Sequence, residues 1–410
     1  MGLSSPTPTV AKADELVRAV WGYAGLRAAQ RRAVTALMHD RDCLAVLPTG
    51  AGKSLCYQVP ALLLPGLTLV VSPLISLMQD QVTALRARGV AAAYLSSTQT
   101  PEVQGAVREA TRAGRVRLLY VAPERLKTVP RILGDRSVSL LAVDEAHCIS
   151  EWGHDFRPHY RRLGRLRAAL GGPPTIALTA TATPETRADI CTVLGLRQPV
   201  SVLTSFDRGN LYFAVRRMET EPARYTELTR LLRTVSRGSA IVYVPTKNRA
   251  DGIAKVLRWH GFSAAPYHAG LPGPARRALL KRFLDAEIRV MVATTAFGMG
   301  IDKPDVRLVV HVGVPARPES YYQEAGRAGR DGQPARCVLL WRDHDLALAA
   351  RLARGHPSPG SPASISHAQA ARRGLETMRR YVTTRRCRRA VLLNYLGEPL
   401  TTCSGCDRCG

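Results

Sequence analysis

Short, almost wholly apolar runs recur along the chain, separated by stretches in which apolar and polar positions alternate with a helical period. Cys43–Leu47, Thr68–Ser72, Val116–Val121, Leu140–Val143 and Thr175–Thr179 form a first series. Their continuous apolar character, rather than strict alternation, predicts strands covered on both faces, as in a parallel sheet wrapped by crossover helices. The charged stretch from Arg216 to Arg237 has no such run, and a second series follows: Ala240–Val244, Val290–Ala293, Leu308–Val312 and Ala335–Leu340. The pattern therefore predicts two α/β domains with a boundary near residue 205. Beyond them, Arg354 to Ser366 is rich in Pro, Ser and Gly and reads as a linker or loop, and Gln369 to Leu396 reads as an arginine-dense helical segment. The tail from Leu396 to Gly410 is too short to bury a core and needs a metal to hold it. The expected partition is 1–205, 206–345 and 346–410.

Composition narrows the class. A chain of 410 residues has room for two or three domains. It holds no apolar run of 18 residues, and Met1 to Leu16 lacks the basic-then-apolar profile of a secretory signal. Pro6 stands where lipidation of Gly2 would require Ser or Thr. A cytoplasmic protein without a membrane partner is expected, nucleoid-associated if bacterial. The formal net charge of +26 points to a polyanion such as nucleic acid. Only seven of the 58 basic residues are Lys, however, so part of the arginine excess is compositional habit, and a merely solvated basic surface stays open. Of nine cysteines, four fall in the last 24 residues; the other five are scattered, as in a protein of reduced thiols.

The run Leu47-Pro48-Thr49-Gly50-Ala51-Gly52-Lys53-Ser54 carries the first chemistry. A strand, a glycine-bearing turn and a helix start supply converging backbone N–H groups for a phosphate. Thr49, Gly50 and Gly52 shape the loop, Lys53 would reach the β/γ oxygens, and the Ser54 hydroxyl would take Mg²⁺. The strict spacing asks for glycine where Leu47 stands, yet every group that touches phosphate is kept. After the run ending at Val143 come Asp144 and Glu145: one acid to hold Mg²⁺, the other to orient and polarise water, unless the pair merely caps a helix. In the second half, Arg327 and Arg330 share a helical turn flanked by small residues, which suits insertion toward a transferred phosphoryl group as well as it suits an exposed helix end.

Several segments together resemble the motifs of superfamily 2 helicases: Asp144-Glu145-Ala146-His147, Ser72-Pro73-Leu74-Ile75-Ser76-Leu77, Thr179-Ala180-Thr181-Ala182-Thr183 and the paired arginines. Trp21-Gly22-Tyr23 with Arg27 and Gln30, the segment Cys148 to Pro158, and Ala296 to Pro304 are similar to the RecQ DNA helicases, from about Val17 to Cys409 and in family order. The resemblance implies two RecA-like parallel-sheet domains in tandem plus a small helical zinc-binding module. It implies an ATP-dependent 3′-to-5′ DNA helicase of recombination and repair, with ATP held between the two α/β domains.

Residue by residue, Tyr23 can stack on adenine, Gln30 can pair with its edge and Arg27 can assist; the family uses these positions to select ATP. Asp302 is the family position that faces the nucleotide near Arg327 and Arg330. Trp152, His154, Phe156 and Arg157 belong to the aromatic-rich segment that senses single-stranded DNA, and Ser72, Pro73 and Thr294 to hydroxyl-bearing loops that suit phosphate contacts. Cys387, Cys403, Cys406 and Cys409 are spaced C-x15-C-x2-C-x2-C, a Zn²⁺ pattern that the family carries at this place; the last three also resemble part of an iron–sulfur pattern.

Single-stranded and forked DNA are the implied partners of a monomer, with single-strand-binding or other repair proteins as the company to look for. The chain stops one residue after Cys409, where most family members continue into a winged-helix domain and further DNA-binding domains. Their absence leads us to expect a short or truncated form with a weaker grip on duplex. Rival readings are an RNA-remodelling ATPase, a translocase or annealing factor that hydrolyses ATP without efficient unwinding, and a non-catalytic DNA-binding module.

Overall fold

The computed structural model of the protein describes residues 10–48, 50–150, 157–298, 301–353 and 362–410. Two compact units divide between Thr204 and Ser205. In the first, seven strands form one sheet: β1 Cys43–Val46, β2 Leu67–Val71, β3 Ala92–Leu95, β4 Leu118–Val121, β5 Val138–Val143, β6 Thr175–Thr179 and β7 Val200–Leu203. Their spatial order is β3-β4-β2-β5-β6-β1-β7, and every pairing is parallel. The second unit carries β8 Leu211–Arg217, β9 Ser239–Tyr243, β10 Ala264–Tyr267, β11 Val290–Ala293, β12 Val306–Val312 and β13 Ala335–Trp341. Their order is β10-β11-β9-β12-β13-β8, again parallel throughout.

Helices cover the sheets because parallel neighbours must be joined by crossovers. The core of the first unit brings Val70, Leu118, Leu140, Ile176 and Leu178 from the sheet against Leu37, Tyr57 and Met78 from helices. Four strands are absent from the hydrophobic pattern: β3, β7, β8 and β10. All four are outer strands. An outer strand is covered less completely, so its sequence need not be wholly apolar; β7 leaves Ser201 and Leu203 exposed.

The end of the first sheet opposite its loops is held by a buried charge network. Asp42, just before β1, accepts from both Arg167 Nη2 (2.8 Å to each carboxylate oxygen), from the Thr175 amide at 2.9 Å and from the Arg197 amide at 2.6 Å. Arg167 also donates to the carbonyls of Leu194 and Gly195. Asp42 and Arg167 are 4% and 5% exposed, which makes each dependent on the other: a lone buried charge would be left by removing one.

The arginine-dense segment forms two helices, Pro362–Thr383 and Arg388–Tyr395, with Cys387 as the N-cap of the second. Cys387 thus starts a helix rather than sitting inside one. The tail beyond lies along β8: Phe213 and Cys406 form a parallel bridge, the Asp407 amide donates to Phe213 O (2.9 Å), and the Val215 amide donates to Asp407 Oδ2 (2.9 Å). The tail therefore covers the unpaired edge of the second sheet. No helix among the described residues is long and apolar enough to cross a membrane.

Asp42→Ala should lower unfolding stability by about 3–5 kcal/mol, because it strands Arg167 in the interior. Replacing both by apolar residues of similar volume should recover most of that loss. Urea midpoints of the two variants check this, and equal destabilisation by both would contradict it.

Candidate functional site

The phosphate loop leaves β1 with Leu47 still paired, its amide donating to Thr179 O at 3.0 Å. Gly50 and Gly52 take φ of 84° and 72°, values that side-chain-bearing residues rarely adopt. A Cβ on Gly52 would also stand 2.5 Å from Gln30 Nε2 and would have to displace that side chain from the loop. Gln30 is buried beneath the loop: its Nε2 donates to Ala51 O (2.9 Å) and Gly52 O (3.1 Å), and its Oε1 accepts from the Arg27 amide (2.8 Å). The amide expected to read adenine is thus committed to the loop backbone in this state. Arg27 is exposed and reaches Gly50 O at 3.5 Å, and Tyr23 is 54% exposed nearby in sequence, free to offer a ring face. Lys53 Nζ donates to Leu47 O at 3.2 Å, folding the loop onto its own lysine. The following helix runs Leu55–Leu63, so Ser54 stands at its head. Thr49 lies outside the described residues.

The acids follow β5, which lies two strands from β1 with β6 between. Parallel pairing brings the C-terminal ends of β2, β5, β6 and β1 side by side, and with them Ser72, Asp144–His147, Thr179–Thr183 and the loop. Asp144 donates its amide to Val71 O (2.8 Å), and its Oδ1 accepts from the Glu145 amide (3.0 Å). Burial and the charge of Glu145 push the Asp144 carboxyl up to about 7, while Lys53 and Ser72 pull it back. Glu145 holds φ 48°, ψ 48°, a left-handed conformation that costs a non-glycine residue of order 1 kcal/mol or more. Its Oε2 lies 3.3 Å from His147 Nδ1, and the same Nδ1 lies 2.9 Å from Thr179 Oγ1. Thr179 Oγ1 also donates to Thr181 O at 3.0 Å, so one chain of polar contacts runs from the acid to the loop after β6. Tyr160, buried, donates to Asp144 O at 3.1 Å. A half-buried carboxylate crowded by a second acid, beside a lysine and a serine at a helix start, suits a hard divalent cation.

Several hydroxyl-bearing residues at these strand ends face inward. Ser72 and Pro73 are buried, with the Ser72 side chain turned to Asp144, because the strand end that carries them is covered. Thr179, Thr181 and Thr183 are likewise buried, and Thr183 caps the helix Pro184–Leu194 by accepting from the Thr186 amide at 3.3 Å. The hydroxyls of Thr179 and Thr183 bond locally, to Thr181 O and to Thr186. Arg157 donates to Pro73 O at 2.8 Å, tying the segment after the acids to the loop after β2. Trp152, His154 and Phe156 lie outside the described residues.

In the second unit the helix Pro318–Ala325 ends just before the arginines. Arg327 is 5% exposed, lies against the Tyr243 hydroxyl, and would meet a Cβ on Gly298 at 3.2 Å. Arg330 donates to Ile301 O (2.5 Å) and to Asp302 Oδ1 (2.9 Å), while Asp302 itself is exposed. Burial and then Arg327 lower the Arg330 pKa, so two like charges are held together at this end of the sheet. Asp302 is placed where it offsets one of them. Thr294, after β11, is half-buried; its Oγ1 accepts from the Ala296 amide at 3.4 Å.

Cys387, Cys403, Cys406 and Cys409 place their sulfurs within 4.8 Å of one another, and Cys387 and Cys406 are 4.0 Å apart. Tetrahedral Zn²⁺ with sulfur at about 2.3 Å needs S···S near 3.8 Å, so the four thiols fit it with little movement. Crowding divides them: Cys406 falls to about 7, where amide donation from Arg388 and Arg408 outweighs its burial, whereas burial raises Cys403 to about 11 and its sulfur neighbours raise Cys409 to about 12. A divalent cation removes that conflict. Two arginines invisible to the cysteine spacing anchor this cluster. Arg388 donates to Asp407 Oδ1 (2.9 Å) and Tyr381 O; Arg389 donates to Leu211 O (2.7 Å) and Asp207. Both are 1% exposed. Only their place beside Cys387 hinted at a role.

Residues 27–190 match the DEAD/DEAH box helicase family, 223–332 the helicase conserved C-terminal domain, and 344–410 the RecQ zinc-binding family. The ATP-dependent DNA helicase RecQ of Haemophilus influenzae is 42% identical over 96% of this chain and 63% of its own length. The protein of the same name from Bacillus subtilis is 41% identical over 97% of this chain and 66% of its own. The chain thus spans about two thirds of these relatives' length. A putative ATP-dependent RNA helicase, R290, of Acanthamoeba polyphaga mimivirus is 39% identical over 97% of this chain and 72% of its own. Among solved structures, Mss116p bound to single-stranded RNA and AMP-PNP shares the fold with a TM-score of 0.68 at 17% identity, over 95% of this chain and 89% of that one. With helicase-family matches over both sheets, a RecQ zinc-binding match over the cysteine cluster and relatives near 42% identity, the chain belongs to the RecQ family of superfamily 2 helicases.

Proposed function

We propose that this chain is the ATP- and Mg²⁺-dependent motor of a DNA helicase that moves 3′ to 5′ along single-stranded DNA and separates duplex in recombination and repair. The observation that carries this reading is the Asp144–Glu145 pair at a strand end, Asp144 half-buried and beside Lys53, Glu145 buried and held in a left-handed conformation. Such an arrangement suits phosphoryl transfer to water, in which catalysis is mostly positioning and charge.

In this reading the N–H groups of residues 50–54 hold the β and γ phosphates, and Lys53 exchanges Leu47 O for phosphate oxygen. Tyr23 and Arg27 hold the base, and Gln30 does so by giving up part of its bonding to the loop. Ser54 and Asp144 would hold Mg²⁺, which supplies charge to the phosphates. Glu145 orients the attacking water and accepts its proton as the bond to the γ phosphorus forms and ADP leaves. His147 fixes the Glu145 carboxylate. We assign Arg327 and Arg330 the charge that develops on the transferred group, with Asp302 facing the nucleotide beside them. Single-stranded DNA is assigned to Trp152, His154, Phe156 and Arg157 and to the backbone around Ser72, Pro73 and Thr294. Zn²⁺ on the four cysteines is structural, since all four positions are protein sulfur.

Glu145→Gln should retain ATP binding and lose hydrolysis by roughly a hundredfold or more, as expected for removal of a general base. Nucleotide affinity and DNA-stimulated turnover, measured on the same preparation, check this; near-normal turnover would refute the role. DNA stimulation well above RNA stimulation, with strand displacement on forked substrates, is expected of the motor, and stimulation by RNA alone would overturn it.

Chelation of Zn²⁺, or Cys403→Ser, should lower the thermal midpoint and speed hydrogen exchange at the Phe213 and Val215 amides, whose partners Gly405 and Asp407 sit between zinc ligands. Unchanged exchange there would count against a structural metal.

A further inference from the structure

Thr294 follows β11, and Arg327 lies against Tyr243 at the end of β9, so both stand at C-terminal ends of strands in the second unit. The opposite end of that sheet carries a surface with no role in the chemistry above. Two cavities open there and share Val235. The larger, about 580 Å³, is lined by Arg237, Arg307 and Arg336 with the polar groups of Asn210, Ser236 and Ser404. The smaller, about 280 Å³, is lined by Arg233, Arg289 and Phe262.

Not all of these arginines are available. Arg289 donates to the carbonyls of Val235, Ser236 and Gly238 at 3.1–3.2 Å and belongs to the loop it braces. Arg307 pairs with Asp331 and donates to Pro304 O at 3.0 Å. The remaining acids nearby are taken as well, Asp305 by Lys303 (3.0 Å) and Glu287 by Arg282 (3.0 Å). Arg233, Arg237 and Arg336 are left with no ion-pair partner among the described residues.

An aromatic completes the surface. Trp259 ends the helix Lys247–Trp259 and directly precedes His260, Gly261 and Phe262, the last two lining the smaller cavity. Its side chain is 81% exposed, more than any other large apolar side chain among the described residues. The His260 ring packs against it in a T-shaped arrangement, with centroids 4.8 Å apart at 70°, which steadies the exposed indole. Unpaired cations alongside an exposed aromatic ring are what a single strand requires: phosphates meet the arginines and an unstacked base lies on the ring. Duplex DNA would use the charges but has no free base face to offer the indole.

We propose that this end of the second unit, formed by Arg233, Arg237, Arg336 and Trp259, is a second binding surface for single-stranded nucleic acid, separate from the contacts that stimulate ATP turnover. It extends the motor reading and rests on it only in the choice of nucleic acid as partner.

The test uses the full chain with fluorescein-labelled single-stranded DNA and a matching blunt duplex, first without nucleotide. The double variant Arg237→Glu, Arg336→Glu should bind single strand about tenfold more weakly, with a salt slope reduced by roughly one to two. Trp259→Ala should weaken single-strand binding roughly fivefold or more and duplex binding little, and Trp259→Phe should recover most of it. An equal charge change elsewhere, Arg88→Glu with Arg165→Glu, gives the non-specific baseline, and thermal midpoints confirm folding. ATP turnover at saturating single strand should stay at the parental rate, with only the half-saturating DNA concentration raised. Binding equal to the baseline variant, or a loss confined to duplex, overturns the proposal. Failure of single-stranded DNA to stimulate the parent chain would instead overturn the motor reading, while the nucleotide-free binding still decides this surface.

Discussion

Everything at the catalytic end of the first unit depends on one constraint: its seven strands are all parallel. Parallel neighbours cannot be joined by tight turns, so each connection must cross the sheet and return, and all strand exits gather at one edge. Residues about ninety positions apart, such as Lys53 and Asp144, become neighbours without any long loop having to find its way. The price of this order is paid at the other edge, where Asp42 ties β1, β6 and the segment before β7 through Arg167, Thr175 and Arg197. A rigid far end lets the near end carry strain.

That strain is concentrated where charge has to be handled. Two carboxylates adjoin, one half-buried and raised to about 7, the other buried in a left-handed turn, and a lysine is folded back onto a carbonyl of its own loop. Each feature is unfavourable in isolation, and each is relieved by phosphate or a divalent cation. The polar chain through His147 and Thr179 adds a mechanical element: the carboxylate that would polarise water is connected to the loop after β6, so displacement of one is felt by the other. Gln30 is tied into the phosphate loop in the same way, its one amide donating to both Ala51 O and Gly52 O.

Arginine does two kinds of work in this chain. Arg167, Arg224, Arg388 and Arg389 are buried and cross-link the fold; Arg224, for example, bonds Asp345 at 2.6 Å inside the second unit, where Arg249 and Arg342 share the same acids. A guanidinium suits this because its fixed fork satisfies several oxygens at once. The net charge of +26 therefore overstates the surface available to a polyanion, and only burial and pairing separate the structural cations from the free ones.

The amino-acid order alone determined the class of fold, the nine strands that are almost wholly apolar, and the positions of the phosphate loop, the acids and the thiol cluster. Those features are local: a strand covered on both faces must be mostly apolar, a phosphate cradle needs glycine and lysine at fixed spacing, and three of the four cysteines of a coreless tail lie close in sequence. The tertiary structure decided the rest. It supplied the four outer strands, whose half-covered faces tolerate polar residues, and it turned Ser72, Thr179, Thr181 and Thr183 inward, because a hydroxyl after a strand looks the same in sequence whether it meets solvent or a neighbouring strand end. It also decided which arginines are anchors and which are free, and that Trp259 stands in the open, since burial and pairing are set by residues far away in sequence and leave no periodic trace.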